Sequence, residues 1–144
     1  MVGEAEMAEL LVNIDVDDLE KAIRFYTSAF GLHVGRRFGG EAVEILGAPA
    51  SIYLLAKRAG TPAAPNATAM RDYHRHWSPI HLDFVVRDLE AAIRRAEEAG
   101  AQLESAIGEH SWGRIAMMAD PFGHGFCLVT FRGRGYDELV QGTE

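Results

Sequence analysis

Four polar side chains interrupt two short apolar runs in this sequence. Asn13 and Asp15 lie two residues apart in the first run, and His81 and Asp83 lie two residues apart in the second. Because side chains alternate across a β-strand, residues two apart share one face. A histidine beside a carboxylate can act as a general base near neutral pH, so His81 is the candidate catalytic residue.

Two structural explanations compete with a functional one for these four residues. They pair with each other, because polar groups buried without partners are costly. Alternatively, the strand register is shifted by one residue and some of them face outward. The sequence does not decide between these structural explanations and ligand binding, and for Asp15 the two are evenly balanced.

The two apolar runs are related by an internal repeat with an offset of 70 residues. Residues 16–24 (VDDLEKAIR) and residues 86–94 (VRDLEAAIR) agree at seven of nine positions. The runs before them, residues 10–16 and 80–86, are rich in aliphatic side chains and predict strands. Since these strands occupy equivalent places, their polar residues are expected to converge in one cleft, where they would bind a ligand.

Each predicted strand leads into a helix. Asp17 or Asp18, and Asp88, predict N-caps, while Gly31 and Gly100 predict helix ends. Strand-like runs then follow at residues 32–38, 42–46 and 51–56, and again at residues 102–104, 113–119 and 125–131. The sequence therefore predicts an α+β fold with two tandem βαβββ modules that form a curled mixed sheet around a cleft.

We expect a single domain over residues 1–144, with modules at about 9–58 and 79–131. The linker between them, residues 59–78, is rich in alanine and proline and ends in a polar-aromatic stretch. It is either a solvated connection or a lid over the cleft. The tail after residue 131 is expected to dock on the domain or on a partner chain.

Composition excludes several classes of partner. A net charge of −7 argues against nucleic acid and against anionic membrane surfaces. The sequence has no apolar run of the roughly 20 residues that a membrane helix needs, and its first nine residues do not resemble a signal peptide. With one cysteine, Cys127, no intramolecular disulfide can form, so we expect a cytoplasmic protein.

Three motifs resemble the vicinal oxygen chelate superfamily, which includes glyoxalases, bleomycin resistance proteins and dioxygenases. They are residues 18–26 (DLEKAIRFY), residues 81–88 (HLDFVVRD) and residues 120–124 (DPFGH). The resemblance implies two half-barrels around a small-molecule pocket, and a homodimer.

The resemblance also implies where a divalent metal would be held, by His and Glu ligands on the first and last strand of each unit. Those positions are Leu11, Tyr53, His81 and Cys127 here. Only His81 matches, and leucine cannot bind a metal. A His/Cys pair alone leaves an incomplete site, so we expect the full metal site to be lacking.

The same resemblance makes Tyr53 and Cys127 floor residues of the pocket, and Trp112 a wall residue, although core packing also explains Trp112. Other histidines give weaker signals. His74 and His76, two residues apart beside an aromatic residue, could attract a metal, but two histidines on a loop are more often solvated. His124 lies in a turn, where tolerance of left-handed backbone explains it.

Three functional hypotheses follow from the residues and the resemblance. The first is a superfamily protein with a small-molecule pocket and without the full metal site. The second is a metal-dependent lyase, isomerase or dioxygenase that draws its ligands from His81, Cys127, Glu109 or His110. The third is a non-catalytic protein that sequesters a hydrophobic drug.

Overall fold

The chain folds into two modules with the same order of strands and helix, apart from one additional strand in the second. The computed structural model describes residues 6–140. The first module comprises β1 (Leu11–Val16), α1 (Leu19–Phe30), β2 (His33–Phe38), β3 (Ala42–Leu46) and β4 (Ser51–Ala56). The second module comprises β5 (Leu82–Val85), α2 (Leu89–Ala99), β6 (Gln102–Leu103), β7 (Gly108–His110), β8 (Gly113–Ala119) and β9 (Gly125–Phe131). A short 3-10 helix, Gly135–Leu139, follows β9.

The helices begin and end where the sequence predicts. The side chains of Asp18 and Asp88 each accept a hydrogen bond, at 3.1 Å, from the backbone amide three residues later. Gly31 and Gly100 close the two helices with φ values of 66° and 119°, in the left-handed region that glycine tolerates best.

The strands of the two modules form two mixed sheets. The first has the strand order β1-β4-β3-β2, and β1 runs parallel to β4. The second has the order β5-β9-β8-β6 with β7 paired to β8, and β5 runs parallel to β9. β1 and β5 are therefore edge strands, and the architecture is α+β as predicted.

Two details of the second module differ from the sequence prediction. β5 begins at Leu82, so His81 immediately precedes the strand instead of lying within it. The additional strand β7 forms a short antiparallel pair with β8, in which Glu109 lies opposite Arg114 and binds its guanidinium at 2.9 Å. This cross-strand ion pair accounts for a strand in a segment with little apolar patterning.

The core joins the modules through their helices and an aromatic cluster. α1 packs directly against α2. The ring of Phe30 on α1 stacks on Phe84 of β5 at a centroid distance of 3.8 Å. Phe25, five residues earlier on α1, contacts Phe126 of β9 edge-on at a centroid distance of 6.2 Å. Such contacts contribute beyond the area they bury, so the first module's helix is tied to the second module's sheet.

A buried hydrogen bond makes the same connection with polar atoms. The hydroxyl of Tyr26 on α1 donates to the carboxylate of Asp120, in the turn between β8 and β9. That carboxylate also accepts bonds from the backbone amides of Phe122 at 2.8 Å and His124 at 2.9 Å. Tyr26 and Asp120 are 3% and 5% exposed, so water does not replace these bonds.

The tail after β9 docks on its own domain. Tyr136 in the 3-10 helix packs its ring on Phe131 at 4.8 Å and on Trp112 at 5.1 Å. Of the helices in residues 6–140, none is both long and apolar enough to cross a membrane.

We expect Tyr26→Phe to lower the free energy of unfolding by roughly 1–3 kcal/mol, because a buried carboxylate loses a donor. Burial and the nearby Asp120 charge raise the pKa of Tyr26 well above its ordinary value. Since the folded protein holds this proton more tightly than the unfolded chain, stability should fall as pH rises above about 10. Urea denaturation measures both effects.

Tyr136→Phe is the matched control, because it removes a hydroxyl from a side chain that is 51% exposed. It should change stability by less than about 0.5 kcal/mol. Equal losses in the two variants would contradict the role given to Tyr26.

Candidate functional site

A cavity of about 770 Å³ is lined by residues of both edge strands, β1 and β5. Its polar lining includes three of the four polar residues of the two predicted strands, Asn13, Asp15 and His81. Its apolar lining includes Val12, Ile14, Leu82, Phe84 and Phe126. The two copies of the repeat therefore contribute to one concave space, as their equivalent positions predict.

The boundary between β1 and β5 is called the seam below. The fourth residue, Asp83, lies on the other side of this seam. It lines a second cavity of about 490 Å³ with Phe30 and Val85. It also contacts His81, whose Nε2 lies 3.3 Å from Asp83 Oδ1. The expectation that the four polar residues pair with each other therefore holds for these two.

His81, Asp83 and Cys127 form a cluster. Cys127 on β9 lies opposite Asp83 on β5 in the parallel pairing. One ligand atom from each of the three residues lies within 4.8 Å of the others, and within residues 6–140 no other His, Cys, Asp or Glu group of this size is as compact. Cys127 is buried, whereas His81 and Asp83 are exposed.

The electrostatics of this cluster keep the thiol protonated. Burial, and then the negative charge of Asp83, raise the pKa of Cys127 to about 12. A thiol must lose its proton to act as a nucleophile or a metal ligand. At neutral pH, Cys127 is therefore a neutral group on the floor of the cluster.

Tyr53 lies on the same sheet face as Asn13, its partner in the β1–β4 pairing. Its hydroxyl donates to Glu44 Oε2 at 3.0 Å. Arg36 donates to both oxygens of the same carboxylate, at 3.1 Å and 2.7 Å. These bonds from Arg36 lower the pKa of Glu44 to about 2, so Glu44 stays charged and the Tyr53 hydroxyl is engaged within the first module.

The residues present do not fit the four-ligand metal site that the resemblance implies. Leu11 offers no donor atom, and the Tyr53 hydroxyl is bound to Glu44. Of the other two positions, Cys127 carries its proton and only His81 provides a ready ligand. Sequence reasoning did not identify Glu44 or Arg36, because both lie on strands whose pairing the sequence alone does not fix.

The linker, residues 59–78, is fastened to both modules. Arg71 Nε donates to Asp15 Oδ2 at 2.7 Å, which gives Asp15 a structural partner. The Tyr73 hydroxyl donates to the Lys57 carbonyl at 2.7 Å. The Trp77 indole nitrogen donates to Glu104 at 3.0 Å. The linker is therefore held against both modules by these hydrogen bonds. Its residues Arg71 and His76 also line the larger cavity.

His76 and His124 line that cavity as well, although sequence reasoning gave His124 only a turn-forming role. The positive φ in its turn belongs to Gly123, at 87°, and not to His124. His124 Nε2 instead lies 2.7 Å from the backbone oxygen of Asp15. The sequence signal was the histidine pair at 74 and 76, and nothing local linked it to residue 124.

Trp112, Glu109 and His110 lie elsewhere. The Trp112 ring stacks on His110, with centroids 4.9 Å apart and an interplanar angle of 3°. Glu109 is bound by Arg114 and Arg132. None of the three is among the described residues that line the larger cavity; Trp112 and His110 instead belong to the aromatic cluster under the 3-10 helix.

Comparisons with known proteins agree on the family. A family model described as a glyoxalase-like domain matches residues 11–129. An uncharacterised protein of Mycobacterium bovis is 30% identical over 116 residues, which are 78% of this chain and 76% of that protein. The anthracycline biosynthesis protein DauV of a Streptomyces species is 32% identical over 125 residues, which are 84% of this chain and 40% of that longer protein.

Solved structures show the same fold. A glyoxalase/bleomycin resistance protein/dioxygenase family enzyme from Burkholderia phytofirmans has a TM-score of 0.65 at 21% identity, covering 87% of this chain and 100% of that chain. A fosfomycin resistance protein from Listeria monocytogenes has a TM-score of 0.64 at 15% identity, covering 93% and 98% of the two chains. At these identities the likeness concerns the fold alone.

We expect the native protein to react with Ellman's reagent at pH 8 at least about 100-fold more slowly than the unfolded chain, because the thiol of Cys127 is buried and protonated. The absorbance of the coloured thiolate that the reagent releases measures the reaction rate. Since Cys127 is the one cysteine in the sequence, Cys127→Ala gives the background. Rapid labelling of folded wild type would contradict the buried, protonated thiol.

Proposed function

We propose that this chain, which belongs to the family of glyoxalase-like domains, binds a small organic molecule in the cavity along the β1–β5 seam. The observation that carries the proposal is the cavity's lining. Asn13 and His81 offer polar contacts beside an apolar wall that includes Phe84. A concave, mainly apolar space with a few polar groups is typical of ligand sites.

A planar, polycyclic aromatic molecule is the ligand class we favour. Two relatives carry names that refer to anthracycline biosynthesis, and anthracyclines are planar and mostly apolar with polar edges. The cavity volume of about 770 Å³ lies within the range for drug-sized ligands, roughly 300–1,000 Å³. Polar groups at one side of an apolar slot would orient such a ring system.

His81 is the residue that we assign to catalysis, if the bound molecule is turned over. Its Nε2 is held next to the carboxylate of Asp83, and the side chain is 38% exposed at the cavity. A neighbouring carboxylate can orient an imidazole for general base catalysis. Binding without turnover would instead make the protein a sequestering one.

Intrinsic fluorescence can test the binding proposal. The Trp77 ring lies edge-on to His81 at 5.5 Å, so Trp112→Phe leaves one reporter near the cavity. In that background, we expect an anthracycline such as daunorubicin to quench the emission saturably. We expect His81→Ala to weaken binding about tenfold, which corresponds to about 1.4 kcal/mol.

His110→Ala is the matched control, because His110 stacks on residue 112 away from the cavity. It should leave the affinity unchanged. Equal losses of affinity in the two histidine variants, or quenching that never saturates, would contradict the proposal. Incubating the bound ligand and analysing it by mass spectrometry would separate an enzyme from a sequestering protein.

A second candidate function is metal-dependent catalysis, as a lyase, isomerase or dioxygenase, at His81, Asp83 and Cys127. The proximity of their three ligand atoms supports it. Because the thiol pKa is about 12, a metal ion would have to displace a tightly held proton. Metal binding at this cluster should therefore strengthen as pH rises.

We expect Cys127→Ala to abolish that pH-dependent binding, which calorimetry with Co²⁺ at pH 7 and 9 would measure. His110→Ala again serves as the control. Co²⁺ affinity that is equal at both pH values and in both variants would rule out the cluster as a metal site.

The homodimer expected from the resemblance remains a proposal. Leu11 on the first sheet and Val85 on the second, both large apolar residues, are 58% and 61% exposed. A partner chain that covers them would remove this apolar surface from water.

A further inference from the structure

His76 and His124 face each other across the boundary between the linker and the second module. A short parallel bridge joins the two residues, and the His76 amide donates to the Gly123 carbonyl at 2.9 Å. His76 Nε2 lies 3.5 Å from His124 Nδ1. The two rings are nearly perpendicular, with an interplanar angle of 89°.

The outer nitrogens of both rings fix where the hydrogens must be. His76 Nδ1 lies 2.9 Å from the His74 carbonyl oxygen, and His124 Nε2 lies 2.7 Å from the Asp15 carbonyl oxygen. A carbonyl only accepts, so each of these outer nitrogens carries a hydrogen. A neutral imidazole has one N–H, and therefore both inner nitrogens present lone pairs to each other.

Two facing lone pairs repel each other, and an electron-pair acceptor between them, either a proton or a metal ion, would remove that repulsion. Their separation of 3.5 Å is longer than the usual N–H hydrogen bond of about 2.7–3.2 Å. Two nitrogens bound to one tetrahedral zinc ion, with bonds of about 2.0–2.1 Å, lie about 3.4 Å apart. Histidine ligands also commonly donate their second N–H to a backbone carbonyl, as both rings do here.

We propose that His76 Nε2 and His124 Nδ1 bind a divalent transition metal ion of the Zn²⁺ or Cu²⁺ class. The site uses none of the four positions at which the resemblance places metal ligands. Imidazole suits these ions. Two protein ligands leave the remaining coordination positions to water or to oxygen atoms of a bound molecule.

The surroundings of the pair leave it accessible. His76 and His124 line both the cavity of about 770 Å³ and a neighbouring one of about 410 Å³. The two nearby guanidinium groups are engaged: Arg71 binds Asp15, and Arg75 binds Glu104. The adjacent Asp72 and His74 contact each other at 2.6 Å. An ion can therefore approach without displacing a bound guanidinium.

A bound ion would also fasten the linker to the β8–β9 turn. His76 belongs to the linker and His124 to the turn that Asp120 organises. Since the ion would bind the folded arrangement and not the unfolded chain, it should raise the unfolding temperature. This effect is independent of whether the seam cavity binds an organic molecule.

The experiment is isothermal titration calorimetry of the untagged 144-residue chain with Zn²⁺ at pH 7.5, together with Cu²⁺ electron paramagnetic resonance. We expect one bound Zn²⁺, and hyperfine coupling of Cu²⁺ to two imidazole nitrogens. His76→Gln and His124→Asn, which preserve polar side chains in the linker and the turn, should each weaken binding at least tenfold. Binding should also weaken as the pH is lowered, because protons compete with the metal ion for the ligand nitrogens.

Two controls make the result decisive. His110→Ala should bind Zn²⁺ as wild type does, and Cys127→Ala should do the same because the proposed site does not use the thiol. Loss of binding in Cys127→Ala with retention in His76→Gln would overturn the proposal. Unchanged Zn²⁺ affinity in both His76→Gln and His124→Asn would also overturn it. An unfolding temperature that does not rise with Zn²⁺ would likewise contradict it.

Discussion

The carboxylate of Asp120 is the constraint on which the arrangement of this site depends. It is buried, so each of its hydrogen bonds must be satisfied within the protein. Two backbone amides of its own turn satisfy one oxygen, and the Tyr26 hydroxyl binds the other. Because Tyr26 lies in the first module, one side chain sets the turn and joins the modules. Tyr26 and His124 both line the seam cavity, whose shape therefore depends on this contact.

The local features of the fold could be predicted because they depend on neighbouring residues. Asp18 and Asp88 cap their helices with amides three positions away, and such contacts leave a signal in a short stretch of sequence. Alternation was less informative at the cavity, because the consecutive residues 12–15 all line it, whereas Asp83 does not. The strand predicted at residues 102–104 ends one residue earlier, at Leu103. The next side chain, Glu104, binds Arg75 and Trp77 of the linker.

The functional surroundings could not be predicted, because they depend on contacts distant in the chain. His124 binds the backbone of Asp15 across 109 positions, and Tyr26 reaches Asp120 across 94. Trp112 lies in the turn between β7 and β8, where strand alternation gives no orientation, and the residues it packs on include Tyr136 of the tail after β9. Tyr53 was predicted as a floor residue from its family position, yet only the pairing of β3 with β4 brings Glu44 opposite it.

The polar side chains of the two sheets differ in how far they are satisfied by neighbours in their own module. In the first module, the polar groups of the sheet face satisfy each other, as Arg36, Glu44 and Tyr53 do. In the second module, His81 and Asp83 remain exposed beside a neutral thiol. The polar lining of the larger cavity comes from all three parts of the chain: Asn13 from the first module, His76 from the linker, and His81 from the second module. Because the linker is held by ion pairs and hydrogen bonds rather than by a sheet, its contacts with Asp15, Lys57 and Glu104 determine how rigid that side of the cavity is.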